Sequence, residues 1–64
     1  MTIWTREPFF GGCDYHSHVA TVTGYYSPAD PIEFEADCKA WNASNRPGQV
    51  FETAEAAMEA ACAQ

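Results

Sequence analysis

The sequence predicts a small α+β domain, in which an antiparallel sheet of three or four strands carries one C-terminal helix on one face. Two observations lead to this fold class. Along residues 1–52, segments rich in β-branched and aromatic residues alternate with turns that contain glycine or proline. The segment Ala54–Ala63 has instead the apolar period of a helix. A chain of 64 residues is expected to form a single domain over residues 1–64.

The first two strands are predicted from composition. Thr2–Arg6 is the first candidate, and a loop is expected over residues 8–12, where a proline and two glycines interrupt the pattern. Tyr15–Tyr26 is rich in β-branched and aromatic residues, which favours one strand, and Gly24 within it is a candidate β-bulge. Residues 27–31 contain two prolines three positions apart and are therefore expected to form a turn.

Apolar and other residues alternate along Ile32–Trp41, as they do in a strand with one face in a core and one face outward. A helix is the alternative, because Asp30 is a good N-cap residue and Pro31 suits the first helical position. We favour the strand, since a helix would leave no single apolar stripe. Both interpretations place the same three residues on one face: Glu33, Asp37 and Trp41.

The C-terminal part is predicted to contain a turn, a short strand and a helix. Asn45–Gly48 ends in a Pro-Gly pair, which indicates a type II turn, and Gln49–Glu52 follows as a short strand. Thr53 is a suitable N-cap for a helix over Ala54–Ala63. The apolar stripe of this helix consists mostly of small residues, which lets the helix lie close to a sheet: Ala54, Ala57, Met58, Ala61 and Cys62.

The net charge of −6 bears on the choice of partner. Proteins bind nucleic acids and anionic membranes through Lys and Arg, so both partners are disfavoured here. A basic protein surface is the partner that this charge favours. The alternative explanation is that the charge only keeps a small domain soluble.

Several features favour a cytoplasmic protein. The N-terminus lacks the basic region and apolar run of a signal peptide, and no stretch has the length of a membrane span. The three cysteines, Cys13, Cys38 and Cys62, are an odd number and therefore a poor disulfide framework. Cys38 and Cys62 are expected to face the core.

The segment that begins at Cys13 holds the residue types best suited to chemistry. Cys13, His16 and His18 could bind zinc, and the two histidines would project to the same face of a strand. Their spacing is not a strong zinc signature, so they are weak candidates and no metal or other cofactor is expected. Cys13 beside His16 is also a candidate nucleophile, although a lone cysteine is usually a buried apolar residue. Glu33 and Glu35 would form an unburied pair unsuited to acid catalysis, and we therefore expect no enzyme.

The predicted partner-binding patch is the outward face of Ile32–Trp41. It combines acidic residues with an aromatic residue of the type most enriched in interface hot spots: Glu33, Glu35, Asp37 and Trp41. An aromatic anchor with an acidic surround suits a basic groove on a partner. The alternative is that Trp41 packs over the edge of the sheet as part of the core.

In its size, its acidic charge and its lack of enzymatic motifs, the chain resembles the small acidic inhibitors that phages encode, including some anti-CRISPR proteins. The resemblance implies an inhibitor that occupies a basic, nucleic-acid-binding surface of a host complex. Broad imitation of duplex DNA is not expected, because same-face acids of a strand recur every ~6.6 Å, whereas each DNA strand carries a charge every ~3.4 Å. The alternatives are a small zinc-binding protein or a homo-oligomeric accessory protein that pairs through a free sheet edge or face.

Overall fold

A computed structural model of the chain describes residues 1–25 and 38–63. Within them lie the strands β1 (Thr5–Phe9), β2 (Gly12–His16), β3 (Thr21–Tyr25) and β4 (Trp41–Ala43), followed by the helix α1 (Ala54–Cys62). The strands form one antiparallel sheet in the order β1-β2-β3-β4. The helix packs on β3 and β4. The predicted α+β fold, with one C-terminal helix on an antiparallel sheet, is confirmed.

The first hairpin differs from its prediction. β1 lies further along the chain than the predicted strand Thr2–Arg6, and only a two-residue turn separates it from β2, so the predicted loop over residues 8–12 is wrong. Gly11 in this turn has a φ of 91°, which glycine adopts without steric cost. Within the described residues β1 is an edge strand, and this position tolerates Pro8. The alternation of hydrogen-bonded pairs from the two-residue turn directs the Pro8 nitrogen away from β2.

The predicted single strand Tyr15–Tyr26 is also wrong, because a turn divides it between β2 and β3. Ser17 builds this turn, since its hydroxyl accepts hydrogen bonds from the backbone N–H groups of Val19 at 3.1 Å and Ala20 at 3.2 Å. Serine competes in this way with a continuous strand, whatever the β-propensity of its neighbours. The sequence pattern therefore identified β3 and the end of β2 but missed Gly12–Asp14 and the reversal between the two strands.

The core lies between the sheet and α1. One face of the sheet points towards the helix. The largest fully buried side chains on this face are Trp41, Val22 and Cys13. Gly24 lies in regular register with Cys13 and Trp41, so the predicted β-bulge is wrong. A Cβ atom at Gly24 would lie 2.6 Å from ring atoms of Trp41. Glycine is needed here because the indole ring rests against the strand backbone.

The helix and its N-terminus agree with the prediction. The Thr53 hydroxyl accepts a hydrogen bond from the Ala56 N–H at 3.0 Å, which makes it the N-cap. Ala54, Ala57 and Ala61 are buried against the sheet. Cys62 was expected to face the core but is exposed, because it is the last helical residue. Among the described residues, no helix has the length and apolar character needed to cross a lipid bilayer.

The turn predicted over Asn45–Gly48 is confirmed, whereas the strand predicted to follow this turn is not. Gly48 has a φ of 82°, and the Gln49 N–H donates to the Arg46 carbonyl at 3.3 Å, as a type II turn requires. The predicted strand Gln49–Glu52 is reduced to one bridge, in which Phe51 and Trp41 exchange two backbone hydrogen bonds of 2.8 Å.

Two side chains of this turn bind the C-terminal end of α1. Asn45 donates from its amide nitrogen to the Ala61 carbonyl at 2.9 Å. Arg46 donates from Nε to the Ala60 carbonyl at 3.0 Å and from Nη2 to the Ala63 carbonyl at 2.5 Å. The last turn of the helix contains no basic residue of its own. Arg46 therefore supplies the positive charge and the donors that helix C-termini favour.

Substitution of Arg46 by alanine is expected to lower the free energy of unfolding by about 1–2 kcal/mol, because two charge-assisted hydrogen bonds to the helix end are lost. Urea denaturation followed by far-UV circular dichroism measures the change. Lys39→Ala is the matched control, since it removes the same charge from an exposed position. An equal loss in both variants would mean that net charge, not the contact with α1, determines the effect.

Candidate protein-binding face

The predicted partner-binding patch is placed only in part. Glu33, Glu35 and Asp37 lie outside the described residues, as do residues 32–37 of the segment for which a strand and a helix were weighed. Trp41 begins β4 and is only 2% exposed. Its Nε1 donates to the Cys38 carbonyl at 3.1 Å. The exposed-anchor hypothesis for Trp41 is therefore wrong, and the alternative of a core residue is correct.

The zinc candidates do not converge. Cys13 is fully buried on the helix side of the sheet, whereas His16, three positions further along the same strand, points to the opposite face. His18 lies in the turn after β2 and does not share a strand face with His16. In residues 1–25 and 38–63, no three His, Cys, Asp or Glu side chains form a group that could hold a metal ion. The same geometry separates Cys13 from the histidine expected to activate it as a nucleophile.

The face of the sheet opposite α1, here called the open face, has a different character from the helix side. The register of the four strands assigns ten residues to it, and no described helix packs on them. Glu7 and Asp14 are direct cross-strand partners in the middle of this face. Within the described strands, the open face carries no Lys or Arg. Its residues are Thr5, Glu7, Phe9, Gly12, Asp14, His16, Thr21, Thr23, Tyr25 and Asn42.

Asp14 is held in place by its neighbours on the open face. The Thr23 hydroxyl donates to Asp14 Oδ1 at 2.7 Å, and His16 Nε2 lies 3.7 Å from Asp14 Oδ2. The other ring nitrogen of His16 lies 3.2 Å from the Thr21 hydroxyl, which orients the imidazole. Asp14 is 24% exposed in its side chain. Its carboxylate therefore has a fixed position with one side towards solvent.

Glu7 extends the acidic surface outward. Its side chain is 73% exposed, and its Oε1 lies 3.6 Å from His16 Nε2. A pair of this kind between exposed groups adds little to stability. Glu7 can turn towards a partner at small cost, whereas Asp14 is already oriented. We call Glu7 and Asp14 the acidic pair.

Aromatic side chains gather at the hairpin end of the open face. The rings of Phe9 and Tyr25 meet at a centroid distance of 5.8 Å with an interplanar angle of 73°. The Phe9 ring covers Gly12, where a Cβ atom would lie 2.6 Å from Phe9 Cζ. Phe10, in the turn itself, is 89% exposed, and Tyr25 is 61% exposed. We call Phe9, Phe10 and Tyr25 the aromatic tip.

The open face is not evident from the sequence, because it depends on the pairing of β1 with β2. Glu7 and Phe9 are two positions apart in one strand, as are Gly12 and Asp14 in the next. Only the two-residue turn at Phe10 brings these four residues into two adjacent rows. The glycine that follows Phe10 was the available signal for such a turn.

Comparison with models of protein families, with curated proteins and with solved structures finds no match to this chain.

Proposed function

We propose that the protein is a non-enzymatic, acidic protein-binding module that occupies a basic surface of a partner protein and thereby inhibits it. The observation that supports this proposal best is the composition of the open face. A hydrogen-bonded carboxylate and an exposed one lie there beside exposed aromatic rings, and the described strands place no Lys or Arg among them. Aromatic contact area beside charge of one sign is typical of binding surfaces for partners of the opposite sign.

The charge distribution supports a basic partner. The chain has nine acidic residues and three basic ones, and one of the three, Arg46, is bonded to the end of α1. Arg6 lies on the other face of β1 from the acidic pair. A surface of this sign repels phosphate backbones and accelerates encounter with a positively charged protein. The proposal therefore excludes direct binding of nucleic acids and of anionic membranes.

Glu33, Glu35 and Asp37 remain part of the proposed contact surface. The chain returns from them at Cys38, whose thiol donates to the Tyr25 carbonyl at 2.8 Å. Residue 38 is thus tied to the same end of the sheet as the aromatic tip. The proposed contact surface thus comprises five acidic residues, two from the hairpin and three from the sequence before Cys38.

The resemblance to small phage inhibitors, including anti-CRISPR proteins, supports an inhibitory role. A nucleic-acid-handling complex exposes a basic surface, and an acidic protein that covers this surface prevents nucleic acid from entering. We place this role in the cytoplasm, where such complexes act.

Neutralising the acids is the test of the binding proposal. The partner is recovered from a host lysate with the immobilised protein and identified by mass spectrometry, and its affinity is then measured by calorimetry. The triple variant E33Q/E35Q/D37N and the single variant Glu7→Gln are each expected to weaken binding, the triple by about tenfold or more at low salt. The loss should shrink when the salt concentration rises from about 0.01 M to about 0.15 M, because the Debye length falls from ~30 Å to ~8 Å.

The matched control is E52Q/E55Q/E59Q, which changes the net charge by the same amount as the triple variant. These acids are exposed on and before α1, on the other side of the sheet. Equal losses of affinity in the control and test variants would mean that net charge alone determines binding. Unchanged affinity in all of the variants would refute the proposal. If the pull-down from the lysate recovers only this protein itself, the alternative of a homo-oligomeric accessory protein is favoured.

Inhibition requires that the protein and nucleic acid exclude each other on the partner. We expect a saturating amount of the protein to displace labelled nucleic acid from the purified partner in a fluorescence-anisotropy assay, and E33Q/E35Q/D37N to displace less at the same concentration. A ternary complex that retains the nucleic acid would show that the protein binds elsewhere on the partner.

A further inference from the structure

We propose that the hairpin end of the open face binds an arginine side chain of the basic partner, with the guanidinium group stacked on the aromatic tip and hydrogen-bonded to the acidic pair. This inference rests on the proposed function, because it names the chemistry by which the basic surface is recognised. It also makes a narrower claim, since it distinguishes arginine from lysine.

Two rings of the aromatic tip remain exposed in the folded protein. Phe9 is committed to covering Gly12, but Phe10 and Tyr25 are 89% and 61% exposed. Phe10 lies in the two-residue turn between β1 and β2, so its exposed ring is accessible to a partner. Ring faces that are open to solvent attract cations, and arginine more often than lysine. The Phe9–Tyr25 contact holds Tyr25 in place before a partner arrives.

The acidic pair lies at a suitable distance from these rings. Glu7 and Asp14 occupy the row next to the one formed by Phe9, Gly12 and Tyr25, two residues away along each strand. Two residues of a strand span ~6.6 Å, so a planar group that lies between these adjacent rows can contact side chains of both. The guanidinium group is planar and has five N–H donors, so one face can stack on a ring while an edge donates to a carboxylate.

The preformed geometry favours this occupant over others. The Asp14 carboxylate is already oriented by the Thr23 hydroxyl, so binding orders few additional groups. A lysine ammonium group is a compact point charge that pairs with a carboxylate but cannot stack and donate in the same plane. A second copy of this chain, with its net charge of −6, is repelled by the acidic pair.

The test uses three synthetic probes of equal length: heptaarginine, heptalysine and heptacitrulline, whose side chains match arginine in shape but carry no charge. Binding is measured by calorimetry, and the contact surface is mapped with ¹⁵N-labelled protein by NMR. We expect heptaarginine to bind about three- to fivefold more tightly than heptalysine and heptacitrulline not to bind detectably. The largest shift changes are expected at Glu7, Phe10, Asp14 and Tyr25.

Two variants assign the preference to the aromatic tip. F10L/Y25L keeps apolar side chains at both exposed positions but removes their ring faces, so the affinities for heptaarginine and heptalysine should become equal. Val50→Ala changes another exposed apolar residue and should leave the preference unchanged. Circular dichroism of both variants checks that the fold is retained.

Three results would overturn the inference. Equal affinity of the native protein for the arginine and lysine peptides at the open face would remove the arginine preference and leave the proposed function standing. NMR chemical-shift changes confined to residues on the helix side of the sheet would mean that the peptide binds there and not at the open face. Absence of binding up to about 1 mM peptide would eliminate the arginine site, and the pull-down would then test the proposed function independently.

Discussion

Replacement of Trp41 by alanine is expected to leave most of the molecules unfolded at room temperature. Trp41 is the largest fully buried side chain of the described residues, and its Nε1 donates to the Cys38 carbonyl at 3.1 Å. Removal of such a side chain typically costs about 3–5 kcal/mol. A domain of this size seldom has more than ~3–5 kcal/mol of net stability. The measurement is a urea titration followed by near-UV and far-UV circular dichroism.

Two further variants make the expected result specific. Trp4→Ala removes a half-buried tryptophan that packs at the margin of the core and should retain a cooperative transition at lower stability. Trp41→Phe keeps most of the apolar volume but leaves the Cys38 carbonyl without its indole donor, so its loss should lie between the two alanine variants. A cooperative transition in Trp41→Ala with a loss below about 1 kcal/mol would contradict the core position of Trp41.

Substitution of Gly24 by alanine is the second variant with a large expected effect. The added Cβ atom would lie 2.6 Å from Cδ2 and Cε3 of Trp41, which is only 2% exposed. Overpacking of this kind costs about 1–3 kcal/mol or more. We expect a loss of about 3 kcal/mol in the free energy of unfolding, measured by urea denaturation.

A double-mutant cycle connects this loss to the indole ring. In the Trp41→Phe background the outer part of the bicyclic ring is absent, so Gly24→Ala should cost less there than in the native protein. Gly48→Ala separates backbone strain from steric overlap, because a Cβ atom at Gly48 meets nothing within 4 Å but the residue must adopt a φ of 82°, whereas Gly24 has no positive φ. Equal costs of Gly24→Ala in the two backgrounds would mean that another neighbour opposes the substitution.

The parts of the fold that could be predicted from the sequence are those determined by neighbouring residues. The cap at Thr53, the helix after it and the turn at Gly48 depend on interactions within four residues, and the residue types there are specific. The division of Tyr15–Tyr26 into two strands is also local, but the hydroxyl of Ser17 is a weaker signal than a glycine or proline.

The open face could not be located from the sequence. An exposed aromatic anchor was expected at Trp41, which is buried, and the described residues place acidic and aromatic side chains together at Glu7, Asp14 and Tyr25; Glu33, Glu35 and Asp37 lie outside the described residues. The position of Trp41 depends on Gly24, which is distant in sequence, and one glycine in a strand does not reveal which ring lies on it. Contacts between distant segments are the information that single-sequence patterns lack.

The pairing of β3 with β4 has a consequence for the order of folding. The turns at Gly11 and Ser17 join β1, β2 and β3 through short connections, and such hairpins form within microseconds. β4 follows only after residues 26–40, so its docking carries a larger loss of chain entropy. Trp41 arrives with β4. The hairpins that carry the aromatic tip can therefore form before the core closes, and the Gly24 backbone has to remain open until the indole ring reaches it.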